Sequence, residues 1–405
     1  MKRIRPFVFL LLILSILFLT SCNKKEEEGV VKKHEHVYED GICVKCGYMC
    51  THDIIINNKC EACGKEIDIS CRHQFVRGEC VICGYKCPHD IEKCNQMCSL
   101  CGFIREHEYV NGECIYCGDK MNYETGTINS KYKTKVADEE AGSVEKVVFQ
   151  SYDYANNCAF ENTFFVYLPN SYYKDTTKEY NVIYLLHGSG ENAAYWLAQL
   201  SYKGGYTEAT KVLLDNLHKN GECEETIVVT PTFNLNKSAN FHKELINNIM
   251  VECESKYRTK AGLYNKNKNE IKSEDFISSR DYRAFAGLSY GSKIAWTIMA
   301  YDLPYFAYYG MFSGGLIDLT YLHTDLTNTL KNTEYDIKFA YNACATNDSL
   351  YSDHKSAYNY FMNVNGKLRE DNTCFVDKGS LGHTYNTWLS DLYNCMTLVF
   401  FKYNE

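Results

Sequence analysis

Proline, net positive charge and long apolar runs are all scarce in this 405-residue sequence. The five prolines exclude long proline-rich linkers. Acidic residues number 51 against 43 basic ones, so nothing indicates a surface that binds nucleic acid. The N-terminal apolar run, Phe7 to Leu19, is shorter than the ~20 residues that a membrane-spanning helix needs. This run is therefore predicted to be an export segment and not a membrane span.

The residues around that run resemble a bacterial lipoprotein signal. Lys2, Arg3 and Arg5 precede the run, and Leu19-Thr20-Ser21-Cys22 follows it. The resemblance implies that residues 1–21 are removed and that Cys22 is lipidated, which would anchor the protein to the membrane at the bacterial surface. Residues 22–33 would then form the anchor and tether. The alternative is an ordinary secretory signal in which Cys22 is incidental.

Cysteine, by contrast, is abundant and unevenly distributed. Fourteen of the 21 cysteines lie between Cys43 and Cys117, and nearly all of them follow a repeat of Cys or His, one residue, His, six to eight residues, then Cys-x-x-Cys. The repeat region is assigned to residues 34–118. The candidate metal ligands are His34, His36, Cys43 and Cys46; Cys50, His52, Cys60 and Cys63; Cys71, His73, Cys80 and Cys83; Cys87, His89, Cys98 and Cys101; and His107, Cys114 and Cys117.

Four nitrogen and sulfur ligands in each complete copy suit a structural, tetrahedral Zn²⁺, as in zinc-ribbon modules. The fifth copy has Arg105 where a first ligand would stand, and Cys94 belongs to no copy. Disulfides are the alternative in an exported segment, but they would not require the recurring histidine. The array would serve as a stalk, or would contact wall polymer or a partner protein.

Beyond a polar segment, 119–142, that is predicted to be a linker, the pattern changes. Strand-like runs rich in Val, Ile, Phe and Tyr alternate with helical ones. The strand-like runs are Val144–Tyr154, Thr163–Leu168, Val182–Leu186 and Thr226–Thr230, and the helical ones Ala209–Lys219 and His242–Tyr257. This alternation predicts an α/β domain over residues 143–405, with a mainly parallel sheet covered by helices on both faces.

Within this domain, Gly287-Leu288-Ser289-Tyr290-Gly291 places a serine between two glycines. A strand is predicted before it and a helix, Ser292 to Tyr301, after it. Such a strand-to-helix elbow exposes the serine hydroxyl while it crowds the flanking backbone, which only glycine fits. Ser289 is therefore predicted to be a nucleophile in acyl transfer.

Four segments resemble carbohydrate esterase family 1, the feruloyl and acetylxylan esterases related to esterase D. They occur in that family's order and cover about residues 143–405. They are Tyr184-Leu185-Leu186-His187-Gly188-Ser189-Gly190-Glu191-Asn192 with Trp196, Ala286 to Gly291, Ala345-Thr346-Asn347-Asp348-Ser349-Leu350, and Gly382-His383 with Trp388. The resemblance implies an α/β-hydrolase fold. Ser292 departs from it, because the family usually has a second glycine there.

The resemblance also implies a role for each of five residues. Ser289 would attack the ester carbonyl, His383 would move the proton, and Asp348 would hold the imidazole. The backbone N–H groups of Ser189 and Tyr290 would form the oxyanion hole. No cofactor is required.

Three other histidines are set aside as catalytic bases. His187 would shape the oxyanion loop and not act as a base. His323 and His354 also follow Ser289, but they are expected to be surface residues. The insertion Thr259 to Arg280 is expected to form a surface loop or a lid, and the remaining cysteines to be mostly buried thiols.

These features together predict a surface-anchored serine esterase that deacylates plant cell-wall polysaccharide or oligosaccharide. Feruloyl esters are the favoured substrate and acetylxylan the next. Two alternatives stay open: an acyltransferase on the same fold, and a metal-binding or wall-binding lipoprotein with an inactive hydrolase domain.

Overall fold

The computed structural model describes residues 113–123, 128–198, 208–316, 320–364 and 366–402, together with short stretches between residues 37 and 110. The chain divides into two compact units, Met1–Glu106 and His107–Glu405. Among the described residues, no helix is both long enough and apolar enough to cross a membrane. The predicted signal and Cys22 lie outside these residues.

A short antiparallel hairpin recurs in the cysteine-rich segment. Its strands are β1 (Tyr38–Glu39) and β2 (Ile42–Cys43), β3 (Ile55–Ile56) and β4 (Lys59–Cys60), β5 (Phe75–Val76) and β6 (Glu79–Cys80), and β7 (Tyr109–Val110) and β8 (Glu113–Cys114). The second strand ends each time on the first cysteine of a Cys-x-x-Cys pair. Four of the five sequence copies thus share one local structure.

The glycine after the cysteine pair has the conformation that the sequence predicts. Gly64 and Gly118 have φ values of +70° and +72°. Their N–H groups donate to the carbonyls of Cys60 and Cys114 at 2.8 and 2.9 Å. Both Cys-x-x-Cys-Gly turns therefore close in the same way, with the left-handed backbone that favours glycine.

The larger unit contains an eight-stranded mixed sheet. Its strands are β9 (Ser143–Asp153), β10 (Cys158–Leu168), β11 (Asn181–Leu186), β12 (Thr226–Pro231), β13 (Arg283–Leu288), β14 (Tyr308–Phe312), β15 (Phe339–Cys344) and β16 (Thr373–Asp377). Their order across the sheet is β16-β15-β14-β13-β11-β12-β10-β9. β11 to β16 are parallel, and β9 and β10 add an antiparallel hairpin at one edge.

Helices cover both faces of this sheet, as the α/β prediction requires. The α-helices are α1 (Ala194–Leu197), α2 (Ala209–Lys219), α3 (Phe241–Glu244), α4 (Met250–Lys256), α5 (Tyr290–Tyr301), α6 (Thr320–Asn332), α7 (Tyr351–Met362) and α8 (Tyr385–Asn394). Two π-helical turns, Leu245–Ile249 and Cys395–Val399, continue α3 into α4 and extend α8. The 3₁₀ turns are Ser130–Lys133, Asp138–Glu140, Asn170–Tyr173, Leu235–Asn240, Lys268–Glu270, Ser273–Tyr282 and Leu303–Tyr305.

The central strands are buried along their whole length. Every residue of β11, β12, β13, β14 and β15 is buried, which explains why these strands read as continuous apolar runs and not as alternating ones. Two apolar clusters form, one on each face of the sheet. This rigid sheet presents the carboxyl ends of β11, β13 and β15 to the site described below.

Part of the segment predicted to be a linker packs on the hydrolase unit. Ile128 and Tyr132 are buried, and the Tyr132 ring lies 5.1 Å from that of Tyr393. The Asn216 side-chain amide donates to the Thr134 carbonyl at 2.9 Å. The sequence did not reveal this packing, because two isolated apolar residues form no periodic pattern.

The insertion from Thr259 to Arg280 forms a surface loop, which is one of the two expected outcomes, and not a lid; residues 264–270 are all exposed. Ile271 and Phe276 from this segment are buried in the core, and the Arg283 guanidinium donates to the Phe276 carbonyl at 3.1 Å. The segment leads into the amino end of β13, whereas Ser289 follows its carboxyl end. Its buried residues therefore pack at the end of the sheet opposite to Ser289.

Candidate active site

Ser289 lies at a strained turn between β13 and α5. Its φ and ψ values are 51° and −115°, a conformation that side-chain-bearing residues rarely adopt. A Cβ added at Gly287 would lie 2.5 Å from the Gly291 carbonyl carbon, and one at Gly291 would lie 2.4 Å from the His187 carbonyl oxygen. Both glycines are therefore required by close backbone contacts, as predicted for a nucleophile elbow.

The structure brings the three predicted triad side chains together. His383 Nε2 lies 3.0 Å from Ser289 Oγ, and His383 Nδ1 lies 2.6 Å from Asp348 Oδ2. The other carboxylate oxygen of Asp348 accepts the Leu350 N–H at 2.8 Å. Three loops at the carboxyl ends of strands supply these groups, so residues far apart in sequence meet at one edge of the sheet.

The surroundings of Asp348 keep it ionised. Burial raises the pKa of its carboxyl group, but hydrogen bonds from His383 and from the Leu350 N–H outweigh burial and hold the pKa below its usual value. Trp388 packs edge-on against the His383 ring with centroids 4.8 Å apart. The carboxylate and the tryptophan therefore orient the imidazole with Nε2 toward Ser289.

His187 is a neutral residue with a structural role. Its Nδ1 lies 2.7 Å from the Gly188 carbonyl oxygen, to which it donates. Its Nε2 therefore accepts, from Thr232 Oγ1 at 3.0 Å and from the Phe233 N–H at 3.4 Å. Burial lowers the pKa of His187 to about 4, although the Gly188 carbonyl opposes the shift. With both ring nitrogens engaged, His187 is not placed to act as a base.

An aromatic stack links the oxyanion loop to the nucleophile elbow. The ring of Phe233 lies 4.6 Å from that of His187 and 5.6 Å from that of Tyr290, nearly parallel to both. Ser238 fixes the other end of Tyr290, with the two hydroxyl oxygens 3.0 Å apart. The sequence analysis missed Phe233, because an aromatic residue after a buried strand gives no sign of its partners.

Behind the elbow, Gly314 is held from two sides. Ser292 Oγ donates to the Gly314 carbonyl at 2.7 Å, and the Gly314 N–H donates to His354 Nδ1 at 3.2 Å. The Nε2 of His354 in turn donates to Asn342 Oδ1 at 3.1 Å. A Cβ at Gly314 would lie 2.3 Å from the Ser289 carbonyl oxygen, so this cluster directly supports the nucleophile.

Two expectations are revised by this cluster. His354 is completely buried and not a surface residue, and burial lowers its pKa to about 3. Ser292, which departs from the family pattern, contributes a hydroxyl hydrogen bond to Gly314 that glycine could not make. His323, the other histidine set aside, lies on α6, and its ring is tilted against that of Tyr360 on α7, with ring centroids 4.0 Å apart.

A cavity of about 620 Å³ lies beside the oxyanion loop. The segment from His187 to Glu191 forms one wall, the turn between β9 and β10 a second, and residues from Thr232 to Glu244 a third. Aromatic rings, among them those of Tyr154 and Phe160, share its lining with carboxylates and amides. The cavity is thus suited to a ligand with both apolar and hydroxylated parts.

Several predicted metal ligands can be placed. In the larger unit, His107, Cys114 and Cys117 offer ligand atoms within 4.8 Å of one another, with His107 Nδ1 at 3.5 Å from Cys117 Sγ. In the smaller unit, the thiols of Cys87 and Cys98 are 3.5 Å apart. These groups could hold a metal ion. The predicted ligands outside the described residues are His34, His36, Cys46, Cys50, His52, Cys71, His73, Cys83, His89 and Cys101.

Fourteen cysteines can be described by how far their side chains are buried. In the repeats these are Cys43, Cys60, Cys63, Cys87, Cys94, Cys98, Cys114 and Cys117. In the hydrolase domain, Cys223, Cys253, Cys344 and Cys395 are buried, Cys374 is half-buried and Cys158 is exposed. Four of the six cysteines in the hydrolase domain are therefore buried, as the sequence predicts.

Comparison with known proteins places this geometry among esterases. No family model matches the chain. Endo-1,4-beta-xylanase Y of Acetivibrio thermocellus is 37% identical over 153 residues, which are 37% of this chain and 12% of that protein. An endo-1,4-beta-xylanase/feruloyl esterase of Xylanibacter ruminicola is 29% identical over 191 residues, which are 44% of this chain and 22% of that protein. The chain therefore spans under a quarter of the length of either relative.

Solved structures agree with the sequence matches. A mutant of the feruloyl esterase module from Clostridium thermocellum, complexed with sinapinate, has a TM-score of 0.57 at 24% identity, over 70% of this chain and 95% of that one. The CE1 ferulic acid esterase of Anaeromyces mucronatus has a TM-score of 0.53 at 22% identity, over 68% and 97%.

These likenesses confirm the α/β-hydrolase fold and the resemblance to carbohydrate esterase family 1. The fold, together with the hydrogen bonds that join Ser289, His383 and Asp348, agrees with the expected enzyme class, a serine carboxylic ester hydrolase. The likenesses do not extend to the zinc-ribbon interpretation of the repeats, which stays a prediction.

Proposed function

We propose that this chain is a surface-anchored serine esterase that removes acyl groups from plant cell-wall polysaccharide, with feruloyl esters as its favoured substrate. The observation that carries the proposal is a pair of hydrogen bonds made by His383. Its Nε2 lies 3.0 Å from Ser289 Oγ, and its Nδ1 lies 2.6 Å from Asp348 Oδ2. The feruloyl esterases to which the domain is similar supply the substrate class.

The geometry supports an acyl-enzyme mechanism that needs no cofactor. His383 Nε2 takes the proton of Ser289 as its Oγ attacks the ester carbonyl, and Asp348 stabilises the imidazolium that forms. The N–H groups of Ser189 and Tyr290 donate to the oxyanion of the tetrahedral intermediate. His383 then gives its proton to the leaving alcohol, and a water activated by the same nitrogen hydrolyses the acyl-enzyme.

The exposure of the base favours hydrolysis over transfer to another acceptor. An acyltransferase must keep water away from its acyl-enzyme. The His383 side chain is 35% exposed, and the neighbouring Leu381 is also exposed. Water can therefore reach the nitrogen that would activate it.

The cavity beside the oxyanion loop supports an aromatic acyl group. Ser189, a predicted oxyanion donor, lines it together with Phe160 and Phe233. Asn162 and Asn234, in the same lining, can bond the ring hydroxyl and methoxyl oxygens of a hydroxycinnamate. An ester whose carbonyl lies at Ser189 would thus place its acyl group against these rings.

The proposal includes the lipid anchor and the structural zinc. The basic residues, apolar run and Cys22 support export and lipidation, and a Cys22→Ala chain is expected in the medium and not in the membrane fraction. The three ligand groups at His107, Cys114 and Cys117, and the recurring hairpins, support zinc in the repeats.

The test compares the wild-type chain with Ser289→Ala on methyl ferulate and p-nitrophenyl acetate. The exposed Ser352→Ala on α7 is the matched control. We expect release of ferulate by the wild type and the control, and a loss of about 10⁴-fold or more in Ser289→Ala. Ser289-dependent release of acetate alone would move the substrate to acetylated polysaccharide, and no Ser289-dependent turnover would contradict the proposal.

A further inference from the structure

We propose that Glu191 is a positioning residue for the oxyanion hole: its carboxylate fixes the Gly188 amide and, with His187, directs the Ser189 N–H toward the reacting carbonyl. The inference rests on the proposed function, since it concerns the same site. No motif assigned this glutamate a role, although it stands three residues after Gly188 in the loop.

The two peptide groups that flank Gly188 are both fixed by side chains. The Gly188 N–H donates to Glu191 Oε2 at 2.7 Å. The Gly188 carbonyl accepts from His187 Nδ1 at 2.7 Å. Rotation about the backbone of Gly188 would break one of these two bonds, so the residue is held in one conformation although glycine itself is permissive.

This arrangement sets the direction of the Ser189 N–H. The Gly188 carbonyl and the Ser189 N–H belong to the same peptide group, and in a trans peptide they point in opposite directions. The bond from His187 therefore turns the N–H away from the buried imidazole. Glu191 holds the preceding peptide, so neither can rotate independently of the other.

The loop lies close enough to the nucleophile for this orientation to matter. A Cβ added at Gly188 would be 3.3 Å from Ser289 Cβ, 3.1 Å from Glu191 Oε2 and 2.8 Å from Leu288 Cδ1. A rotated peptide at this distance would move the donor off the oxyanion position, where alignment within fractions of an ångström determines the rate.

The negative charge of Glu191 strengthens the bond. Hydrogen bonds to a carboxylate are about twice as strong as those between neutral groups. Burial raises the pKa of Glu191, while the Gly188 N–H, Tyr195 and the charge of His383 act in the opposite direction. Glutamine would keep an acceptor oxygen without the charge, and alanine would keep neither, so the two substitutions separate the contributions.

The experiment uses the mature chain and p-nitrophenyl acetate, whose small acetyl group makes few contacts besides those at the carbonyl. Glu191→Ala is expected to lower kcat about 30- to 100-fold, which is somewhat less than the effect of removing a whole oxyanion donor. Its KM should stay within about threefold of the wild-type value. Glu191→Gln should fall between this variant and the wild type. Glu225→Gln is the control, because its carboxylate contacts Ser171 at the opposite end of the sheet and the rate should not change.

A second readout separates positioning from a general loss of structure. A trifluoromethyl ketone forms an oxyanion adduct with the nucleophile, so its inhibition constant should rise by the factor by which kcat/KM falls. Inhibition by the product ferulate should change less than about threefold, because it makes no such oxyanion.

Several outcomes would overturn the inference. These are a kcat for Glu191→Ala within threefold of the wild type, a loss confined to KM, equal weakening of both inhibitors, or failure of both variants to fold. The proposed function fails separately, if the wild type shows no turnover that depends on Ser289.

Discussion

Mild acid is expected to destabilise the hydrolase unit through three histidines that are held without charge. His187 and His354 are both at most 2% exposed, and burial lowers their pKa values from 6.5 to about 4 and about 3. Burial likewise lowers the pKa of His218 to about 4. The unfolded chain takes up these protons near pH 6.5, whereas the folded one does so only below about pH 4. Stability is therefore lost as the pH falls from about 6.5 toward 4.

The size of the loss follows from the three histidine pKa shifts. At about pH 5 an unfolded histidine is protonated and each folded one is not, which costs about 2 kcal/mol per residue relative to pH 7.5. Asp302 opposes this loss, because burial raises its pKa to about 6 and the folded state then binds the extra proton, a gain of about 1 kcal/mol. With three histidines, the net loss is about 5 kcal/mol.

Urea unfolding at about pH 7.5 and about pH 5, monitored by tryptophan fluorescence, measures this loss. All three tryptophans, Trp196, Trp296 and Trp388, are buried in the larger unit, so the signal reports that unit alone. With a slope of about 3 kcal/mol per molar urea, the midpoint should fall by roughly 1.7 M. His354→Asn keeps an acceptor for the Gly314 N–H and should reduce the pH-dependent difference by about 2 kcal/mol. An unchanged midpoint between the two pH values would refute the reasoning.

Three further predictions concern the triad, the elbow and the repeats. Asp348→Asn should lower kcat about 10⁴-fold with methyl ferulate, because the amide no longer stabilises the imidazolium; a loss below tenfold would remove Asp348 from the triad. Ser292→Gly should cost about 2 kcal/mol in the urea assay, through the lost hydrogen bond to Gly314 and a glycine in a helix; an unchanged midpoint would show that the bond contributes nothing. Metal analysis of the purified chain should find four or five zinc ions, removable by chelation with Ser289-dependent activity retained; cysteines that stay unreactive in denaturant until a reductant is added would indicate disulfides instead.

The elements predicted most closely are those encoded by local rules. The helix Ala209–Lys219 has the predicted bounds, because its apolar spacing is regular. The crowded glycines beside Ser289 were also expected, because a strand-to-helix elbow brings the backbone on either side of the serine into close contact. A short motif is enough to predict such local geometry, because the residues that constrain the backbone all lie within the motif.

Contacts between distant segments could not be predicted in this way. The pairing of Ser292 and His354 across Gly314 joins residues 62 positions apart, and His354 was expected at the surface. A polar residue is buried only where partners exist to satisfy it, and the sequence does not show which carbonyl or N–H will lie beside it. The same holds for Ile128 and Tyr132, whose burial depends on α2 and α8.

Contacts between distant segments also explain how the site is held rigid. The two proposed oxyanion donors, the N–H groups of Ser189 and Tyr290, lie on separate segments, and neither motif fixes their relative position. The stack of His187, Phe233 and Tyr290 does so, because one ring contacts a side chain from each segment. Phe233 follows β12, so a strand outside all four motifs determines how closely the two donors converge. Substitutions at Phe233 are therefore expected to lower kcat and to leave KM nearly unchanged, although the Phe233 side chain forms no hydrogen bond with Ser289 or His383.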